Sequence, residues 1–410
     1  MSRHSEALAG FLSAPPLPGI RDAAAGHAGT VLCVGGAVRD ALLGRRPADI
    51  DLAVGGDLDH FVDRFAAHCG RRPVAISDPW RGTRRTVLGG VQVDIGRMLG
   101  NEQEDLAARD FTINAMAVRL NGAEPGHTPS ELLDPFNGCT DLEQRRIRML
   151  SPRALSDDPL RMLRAARYCA ELDGFTIEPA TRIAIAAAAA SIQVAADERA
   201  QTEWVRLLAA PGWLKAAGLA FELGIGERTL PASGRLEPAA AWADFEVAHG
   251  AADEEVVVMR LAAILAGTDG LDPEAARTAL VERRWPHRVA QRVGRVAGWA
   301  LALDESADTV SWALDDSWCA ARAALLARAL AGPADAAADA SIELLAARAE
   351  RADEEPWVRG SDLRHWGLDE GPAVGRILQE AARGQLERRW ESAAAARAWA
   401  RERVDAGAGG

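Results

Sequence analysis

Two patterns of hydrophobic positions follow one another along the chain. Short apolar runs predict strands at Val31 to Val34 and at Ile50 to Val54, with a helix from Val38 to Leu43 between them. Thr86 to Ile95 predicts two more strands joined at Gly89-Gly90, because a glycine pair between apolar runs is typical of a hairpin turn. The beginning of the chain therefore predicts mixed α and β structure.

After Ser156 the pattern changes to long stretches rich in Ala, Leu, Arg and Glu, interrupted by proline and glycine. Leu, Val, Ile and Trp recur through these stretches, which favours packed helices over disorder. The sequence thus predicts a head of mixed structure that is followed by helices to the end of the chain.

Charge is distributed unevenly along the chain. The 410 residues have a formal net charge of −12, which by itself disfavours a nucleic-acid partner. The segment from Arg145 to Arg167, however, holds seven arginines and only two acidic residues, Asp157 and Asp158. This segment predicts a local binding site for an anion. The choice of arginine over lysine in this segment carries little functional information, because Lys215 is the only lysine in the whole sequence.

Several classes of protein are disfavoured by the sequence. The longest apolar run, Ile183 to Ala196, is shorter than the roughly 20 residues that a membrane span requires. The N-terminus lacks the basic and apolar regions of an export signal. The five cysteines are scattered and form no CxxC pair, which disfavours a zinc site and indicates reduced thiols. These features predict a cytoplasmic protein without a membrane partner.

The stretch VGGAVRDALLGRRPADIDLAV combines a glycine pair with an Asp-x-Asp pair. On a strand, Asp49 and Asp51 would point to the same face, where their carboxylates could bind one Mg²⁺ ion or two. The alternative is a turn or a helix cap, where Asp-x-Asp also occurs often. Gly35 and Gly36 stand between a predicted strand and a helix, so their backbone N–H groups could meet a phosphate, with Arg39 one turn further on to pair with it.

A second candidate site lies in the stretch SDDPLRMLRAARY. Asp157 or Asp158 would cap a helix with Pro159 in its first turn, and this structural role alone would explain all three residues. Yet one acidic and three basic residues recur at every third position, which predicts a one-sided stripe along the helix: Asp158, Arg161, Arg164 and Arg167.

Asp158 and Arg161 together offer a hydrogen-bond acceptor next to a two-point donor. Cytosine and adenine both present an amine beside a ring-nitrogen acceptor, whereas uracil and guanine present a carbonyl beside an N–H. A mismatched base would bury unsatisfied groups at a cost of roughly 1–3 kcal/mol each. The pair therefore predicts a protein template that selects CTP and ATP.

Five motifs together resemble a known family in order and spacing. They are GGAVRD from Gly35, DID from Asp49, EDLAARDFTINAMA from Glu104, LLDPFNG from Leu132 and DDPLRMLRAARY from Asp157. The family is the bacterial and eukaryotic class of tRNA nucleotidyltransferases, class II, together with the bacterial poly(A) polymerases. A stretch from Arg359 also looks like the family's C-terminal helix pair.

The resemblance implies an α+β fold. Its head would be a polymerase-β-like nucleotidyltransferase domain, a mixed sheet with helices, followed by an all-helical neck, body and tail. The expected boundaries are residues 1–145 for the catalytic head, 146–210 for a neck with the nucleotide-selecting helix, and 211–410 for a body and tail that bind tRNA.

The resemblance also implies roles for individual residues. Asp49 and Asp51 would bind Mg²⁺, and Asp94 would be a third catalytic carboxylate unless it is only a solvent-facing strand end. The expected nucleotide-binding residues are Gly35, Gly36, Arg39, Arg109, Asp110, Asp158, Arg161, Arg164 and Arg167.

Two further features allow more than one interpretation. Asp110 would orient Arg109 or cap the following helix, and Ala108 stands where the family usually has another arginine. The arginine-rich stretch from Arg81 to Arg85 would form the mobile loop that helps the family switch from C to A addition, or only a surface turn.

The implied activity is the addition of CCA to the 3′ end of tRNA from CTP and ATP. The helical part would recognise the acceptor stem by shape rather than by sequence, and no DNA partner is expected. A CC-adding, A-adding or poly(A)-adding relative is the alternative, and an inactive helical RNA-binding protein is a more distant one.

Overall fold

The computed structural model describes residues 3–76, 81–121, 132–249, 256–268, 271–303, 307–331, 336–368 and 371–407. The chain forms two compact units, Met1–Ala195 and Ala196–Gly410. Among the residues in these described ranges, no helix is long and apolar enough to cross a membrane.

The strands of the first unit form one large sheet and one small one. They are β1 (Val31–Val34), β2 (Asp49–Val54), β3 (Val74–Ala75), β4 (Arg84–Leu88), β5 (Val91–Arg97), β6 (Ala117–Arg119), β7 (Leu132–Leu133), β8 (Arg146–Ile147) and β9 (Thr176–Ile177). The large sheet has the order β3-β4-β5-β2-β1-β6-β7. In it β2 and β5 are parallel and the other neighbours antiparallel, while β8 and β9 form a separate parallel pair.

The helices of the first unit alternate with these strands and then follow them. They are α1 (Arg3–Ser13), α2 (Leu17–Ala25), α3 (Gly36–Leu42), α4 (Leu58–Cys69), α5 (Glu102–Ala107), α6 (Gly138–Glu143), α7 (Pro152–Asp157), α8 (Arg161–Glu171) and α9 (Pro179–Ala188). Two 3₁₀ turns cover Thr112–Asn114 and Ala189–Val194.

The alternation of apolar and polar residues in the sequence matches the burial of the sheet. In β5, Val91, Val93 and Ile95 are buried, and the residues between them are partly exposed. Gly89 and Gly90 have φ angles of 56° and 83° and connect β4 to β5, as a tight hairpin turn requires. The predicted mixed head and its hairpin are thus confirmed.

The second unit is helical throughout the residues that the structure describes. Its helices are α10 (Asp197–Ala209), α11 (Trp213–Glu222), α12 (Gly226–Thr229), α13 (Glu237–His249), α14 (Val256–Leu265), α15 (Pro273–Glu282), α16 (His287–Leu301), α17 (Thr309–Asp315), α18 (Ser317–Ala331), α19 (Ala336–Ala352), α20 (Gly360–His365), α21 (Pro372–Leu386) and α22 (Ala393–Gly407). Four tryptophans pack against the apolar core of the last three helices: Trp357, Trp366, Trp390 and Trp399. The predicted helical part after the head is confirmed.

The segment predicted as an all-helical neck contains an exception. The pair formed by β8 and β9 lies within it, and the N–H of Thr176 donates to the carbonyl of Arg145 at 3.0 Å. Gly174, with a φ of 75°, allows the chain to turn back after α8, because glycine adopts positive φ without a Cβ penalty. The neck is therefore mainly helical rather than entirely so.

The LLDPFNG motif forms the tight turn that begins α6. Asn137 has a φ of 59°, and the carboxylate of Asp134 accepts hydrogen bonds from the N–H groups of Gly138 (2.6 Å) and Cys139 (2.9 Å). A Cβ on Gly138 would clash with the backbone oxygen of Thr112. Packing and capping therefore explain the motif, since residue 138 has no room for a side chain.

We predict that Gly138→Ala destabilises the chain by about 1–3 kcal/mol, because the added methyl group would meet backbone that cannot move aside. Gly10→Ala is the matched control. Gly10 is exposed on α1 with open space around it, so alanine there should be neutral or stabilise by up to about 1 kcal/mol. Urea unfolding followed by circular dichroism measures both effects, and equal midpoints for the two variants would contradict the prediction.

Candidate active site

A glycine turn connects the buried strand β1 to helix α3, whose first residue is Gly36. Gly35 has a φ of 75°, and its N–H donates to the carbonyl of Met116 at 3.1 Å. A Cβ on Gly35 would lie 2.7 Å from Nη1 of Arg109 and 3.6 Å from Oδ2 of Asp51. The glycine turn, Arg109 and Asp51 therefore meet at one point, although they are distant in the sequence.

Asp49 and Asp51 lie on the same face of β2, as their spacing predicts. Both are partly buried, whereas Ile50 and Leu52 on the opposite face are fully buried. Asp94 is the register partner of Asp51 on the parallel neighbour β5. Three carboxylates are thus carried by adjacent positions of two central strands.

The electrostatic surroundings of Asp51 disfavour its charged form. Its pKa is raised to about 6, chiefly by burial and also by the negative charges of Asp49 and Asp94, against the opposing charge of Arg109. Closely spaced carboxylates of this kind are the oxygen donors that a hard divalent cation binds. Asp49 and Asp51 therefore fit a metal ion by their chemistry.

Asp94 is paired with an arginine. Its two oxygens accept hydrogen bonds from Nε and Nη2 of Arg85, each at 2.7 Å, and this contact raises the pKa of Arg85. Within the described ranges, no three His, Cys, Asp or Glu side chains are arranged as a complete metal site. The role of Asp94 as a third metal-site carboxylate stays a prediction.

Arg109 is held by Asp105, a fully buried carboxylate that our reading of the sequence missed. Asp105 accepts hydrogen bonds from Nη1 of Arg81 (2.6 Å), from the N–H of Leu99 (3.0 Å) and from Nη2 of Arg109 (3.4 Å). The sequence offered one signal for this ion pair: Asp105 stands four residues before Arg109, on helix α5, and side chains at this spacing can pair.

Asp110 is buried and paired with the helix that follows. Its Oδ1 accepts from the N–H of Phe111 (2.8 Å) and from Nδ2 of Asn114 (3.0 Å), and its Oδ2 lies 2.9 Å from Nη2 of Arg164. Burial raises the pKa of Asp110, but Arg164 and the hydrogen bonds outweigh burial, so the net pKa is lowered. Asp110 thus contacts Arg164, while Arg109 is oriented by Asp105 instead.

Arg39 is buried, with 7% of its surface exposed. Its Nε and Nη2 contact Oδ1 of Asp40 at 2.9 and 2.8 Å, and its Nη1 donates to Oδ1 of Asn114 at 2.8 Å. A Cβ on Gly36 would lie 3.6 Å from Nη2 of Arg39. The guanidinium of Arg39 therefore lies close to the glycine turn. Its contact with a phosphate stays a prediction.

The predicted stripe along one helix is wrong at its first member. Helix α7 ends at Asp157 and α8 begins at Arg161, so Asp158 lies between two helices with extended backbone angles. The physical reason is Pro159, which disfavours helical backbone at the preceding residue. Oδ1 of Asp158 accepts from the N–H of Leu160 at 3.3 Å, a local contact that shapes this turn.

Arg161 connects α8 to the loop that carries Arg109. Its Nη2 donates to the carbonyl of Ala108 at 2.6 Å, and its Nη1 donates to the carbonyls of Arg109 at 2.9 Å and Ala154 at 3.3 Å. Burial lowers the pKa of Arg161. These contacts hold Arg161 beside Arg109, and the predicted hydrogen bonds of Arg161 to a base stay a prediction.

Tyr168, the single tyrosine in the sequence, lies among three predicted nucleotide-binding arginines. The distance from its ring centroid to Cζ is 4.4 Å for Arg167, 5.1 Å for Arg39 and 6.0 Å for Arg164. Arg167 is itself buried, and its Nη1 donates to both carboxylate oxygens of Glu171, at 2.6 and 2.7 Å. The first motif and helix α8 therefore meet at this aromatic ring.

The arginine-rich stretch before and within β4 is anchored at several points. Arg81 contacts the buried Asp105, Arg84 lies 3.3 Å from Asp59, and Arg85 holds Asp94. Residues 78–80 of the same stretch lie outside the described ranges. Whether this stretch acts as the loop for C-to-A switching stays a prediction.

Two family models match the chain. Residues 31–78 and 81–148 match the model described as the poly A polymerase head domain. Residues 174–233 match the model described as the probable RNA and SrmB-binding site of polymerase A. The first match contains the glycine turn, the carboxylates and Arg109.

Curated relatives match over part of their length. A CC-adding tRNA nucleotidyltransferase of Geobacter sulfurreducens is 41% identical over 208 residues, which is 50% of this chain and 46% of the relative. An A-adding tRNA nucleotidyltransferase of Deinococcus radiodurans is 37% identical over 226 residues, 54% of this chain and 48% of the relative. The chain spans about half the length of the curated relatives that it matches.

Solved structures share the fold. The Thermotoga maritima CCA-adding enzyme complexed with tRNA has a TM-score of 0.69 at 22% identity and covers 98% of both chains. The Bacillus stearothermophilus CCA-adding enzyme in complex with CTP has a TM-score of 0.69 at 24% identity and covers 99% of both. Part of the chain thus matches the poly A polymerase head domain by sequence, and the chain shares the fold of these solved CCA-adding enzymes.

Proposed function

We propose that the chain is a template-independent tRNA nucleotidyltransferase that adds or repairs the 3′-terminal CCA of tRNA, using CTP and ATP and releasing pyrophosphate. The observation that carries the proposal is the meeting of the glycine turn, Asp51 and Arg109 at one point, with Asp49 on the same strand face. This combination supports the proposal, because a glycine turn, paired carboxylates and a cation are the groups that the reaction of a nucleoside triphosphate would require.

The family generally uses divalent metal ions. We infer that the ion here is Mg²⁺ and that Asp49 and Asp51 would hold it, with Asp94 as a further candidate. When bound, Mg²⁺ would help to activate the attacking hydroxyl and neutralise the leaving pyrophosphate.

The chain's own residues would position the substrates. The N–H of Gly36, the first residue of α3, would donate to a phosphate oxygen, because the N–H of Gly35 already donates to the carbonyl of Met116. Arg109 beside the turn would hold the nucleotide and its ribose. The 3′-hydroxyl of the tRNA would then attack the α-phosphate, and pyrophosphate would leave. Asp158 and Arg161 would select cytosine and adenine by their hydrogen-bonding edges.

The remainder of the chain would bind RNA. We infer a neck over residues 146–210 and a body and tail over 211–410 that recognise the acceptor stem by shape and backbone. Residues 174–233 match the family model of a probable RNA-binding site, which supports an RNA-binding role for this part of the chain. A cytoplasmic location fits these partners, and we expect no DNA substrate.

A partial activity is the second candidate. The relatives from Geobacter, Synechocystis and Halalkalibacterium are named CC-adding, and one from Deinococcus is named A-adding. Addition of C alone or of A alone would use the same residues. Poly(A) addition would differ in the RNA that is accepted, in the use of ATP alone and in the number of residues that are added.

The decisive experiment supplies the purified chain and Mg²⁺ with tRNA that ends before CCA, with tRNA that ends after CC, and with an unrelated RNA, each with one labelled nucleotide. The proposed function predicts CTP incorporation on the first tRNA and ATP incorporation on the second. CTP use without ATP use would identify a CC-adding enzyme, and ATP use on all RNAs a poly(A) polymerase. Refusal of both nucleotides on every RNA would contradict any enzymatic role.

We predict that Asp51→Asn lowers nucleotide incorporation about 100-fold or more, because a metal ligand that supplies several kcal/mol is lost. Its thermal midpoint at pH 7 should stay equal or rise, since burial makes the charged Asp51 costly in the folded state. EDTA should abolish wild-type activity and added Mg²⁺ restore it.

Asp141→Asn is the matched control for Asp51. Asp141 is more fully buried than Asp51, and it accepts hydrogen bonds from Thr112 (2.6 Å) and Arg148 (2.8 Å). Loss of its charge should therefore lower the thermal midpoint while the folded protein remains active. If Asp51→Asn lowers the thermal midpoint as much as Asp141→Asn does, the prediction that the charge of Asp51 does not stabilise the fold is wrong.

We predict that Asp158→Ala reduces the preference for CTP and ATP over UTP and GTP about 5- to 100-fold, the equivalent of roughly 1–3 kcal/mol. The neighbouring Asp157→Ala is the control, because Asp157 is exposed and lies 3.5 Å from Arg153. Competition assays with mixed nucleotides measure the preference. An unchanged preference in Asp158→Ala would remove Asp158 from base selection.

A further inference from the structure

A buried amide connects the first motif to helix α8. Asn114 is 4% exposed and ends the 3₁₀ turn Thr112–Asn114. Its Oδ1 accepts a hydrogen bond from Nη1 of Arg39 at 2.8 Å, and its Nδ2 donates to Oδ1 of Asp110 at 3.0 Å. Asp110 in turn lies 2.9 Å from Nη2 of Arg164. Four side chains thus form a continuous chain of contacts.

The chemistry of this position suits an amide. A guanidinium group only donates hydrogen bonds and an ionised carboxylate only accepts them. The side chain between Arg39 and Asp110 must therefore offer one acceptor and one donor, which Asn114 does in a single orientation. An aspartate would face Asp110 with like charge, and an apolar side chain would leave both neighbours short of a buried partner.

The two ends of the chain of contacts flank the proposed nucleotide site. The guanidinium of Arg39 lies against the glycine turn, as the 3.6 Å distance from a Cβ on Gly36 to its Nη2 indicates. Arg164 belongs to the helix that begins with Arg161 and is 31% exposed at its side chain. A displacement of Asn114 would therefore change the position of charge on both sides of the site.

We propose that Asn114 is a positioning residue for nucleotide binding. It fixes Arg39 beside the glycine turn and, through Asp110, holds Arg164 on the other side of the proposed nucleotide site. The inference rests on the proposed function. It assigns to Asn114 no direct contact with the substrate. Its role is to make the phosphate-binding turn and the base-selecting helix one preorganised unit.

The test compares Asn114→Ala with Asn121→Ala in the full chain. Asn121 is a control of the same type in the same unit, since its amide accepts from the N–H of Val31 (2.9 Å) and donates to the carbonyl of Gly29 (2.6 Å). Both substitutions remove an amide that connects distant segments. Only Asn114 contacts residues of the proposed site.

The readouts are calorimetric binding of CTP in the presence of Mg²⁺, KM and kcat for CTP, and the thermal midpoint. We expect Asn114→Ala to weaken CTP binding and raise KM about tenfold, with kcat within about threefold of wild type. Asn121→Ala should lower the thermal midpoint and leave binding and KM within about twofold. Asn114→Asp, which has the same shape and creates no cavity, should weaken binding at least as much as alanine.

A double-mutant cycle tests whether the effect of Asn114 on CTP binding passes through Asp110 to Arg164. Because Asn114 acts on Arg164 through Asp110, Arg164→Gln should weaken binding less in the Asn114→Ala background than in wild type. Equal binding and KM for Asn114→Ala and Asn121→Ala, or effects that simply multiply with Arg164→Gln, would overturn the proposal. A wild-type chain that binds CTP normally but transfers no nucleotide would refute the proposed function alone, while the binding comparison would still decide the role of Asn114.

Discussion

Pairing between buried carboxylates and arginines stabilises the loops of the head and attaches helix α8 to them. Asp105 binds Arg81 and Arg109, Asp110 binds Arg164, and Asp141 binds Arg148. A buried charge without such a partner would cost several kcal/mol, so each pair fixes the relative position of the two segments that contribute it. The loops around the proposed site are therefore placed by charge as much as by apolar packing.

Asp51 stands apart from this arrangement. The pKa of Asp110 is lowered because its arginine and hydrogen bonds outweigh burial, whereas the pKa of Asp51 is raised to about 6 because burial and two neighbouring carboxylates outweigh Arg109. Two aspartates of one unit thus differ in the sign of their shift. The charge of Asp51 therefore does not stabilise the fold, which is consistent with the proposed role of Asp51 in metal binding.

The sequence predicted the parts of the structure that depend on neighbours along the chain. The alternation in β5, the hairpin at Gly89-Gly90 and the shared face of Asp49 and Asp51 all follow from the two-residue period of a strand. The stripe failed at Asp158, although Pro159 was a local signal that the helix had not yet begun. Contacts across the fold could not be predicted. Arg39 contacts Asn114, and Arg109 occupies the space beside Gly35, because the fold brings separate motifs together. No local sequence pattern records these distances.

The crowding at Gly35 has a consequence for how this protein can change over generations. The space that a side chain at residue 35 would need is already taken by the guanidinium of Arg109. A side chain at residue 35 would have to displace that guanidinium, and it would also have to adopt a φ of 75°, which residues with a Cβ rarely do. A mutation of the glycine turn would therefore also move the cation beside it, although the two residues are encoded far apart.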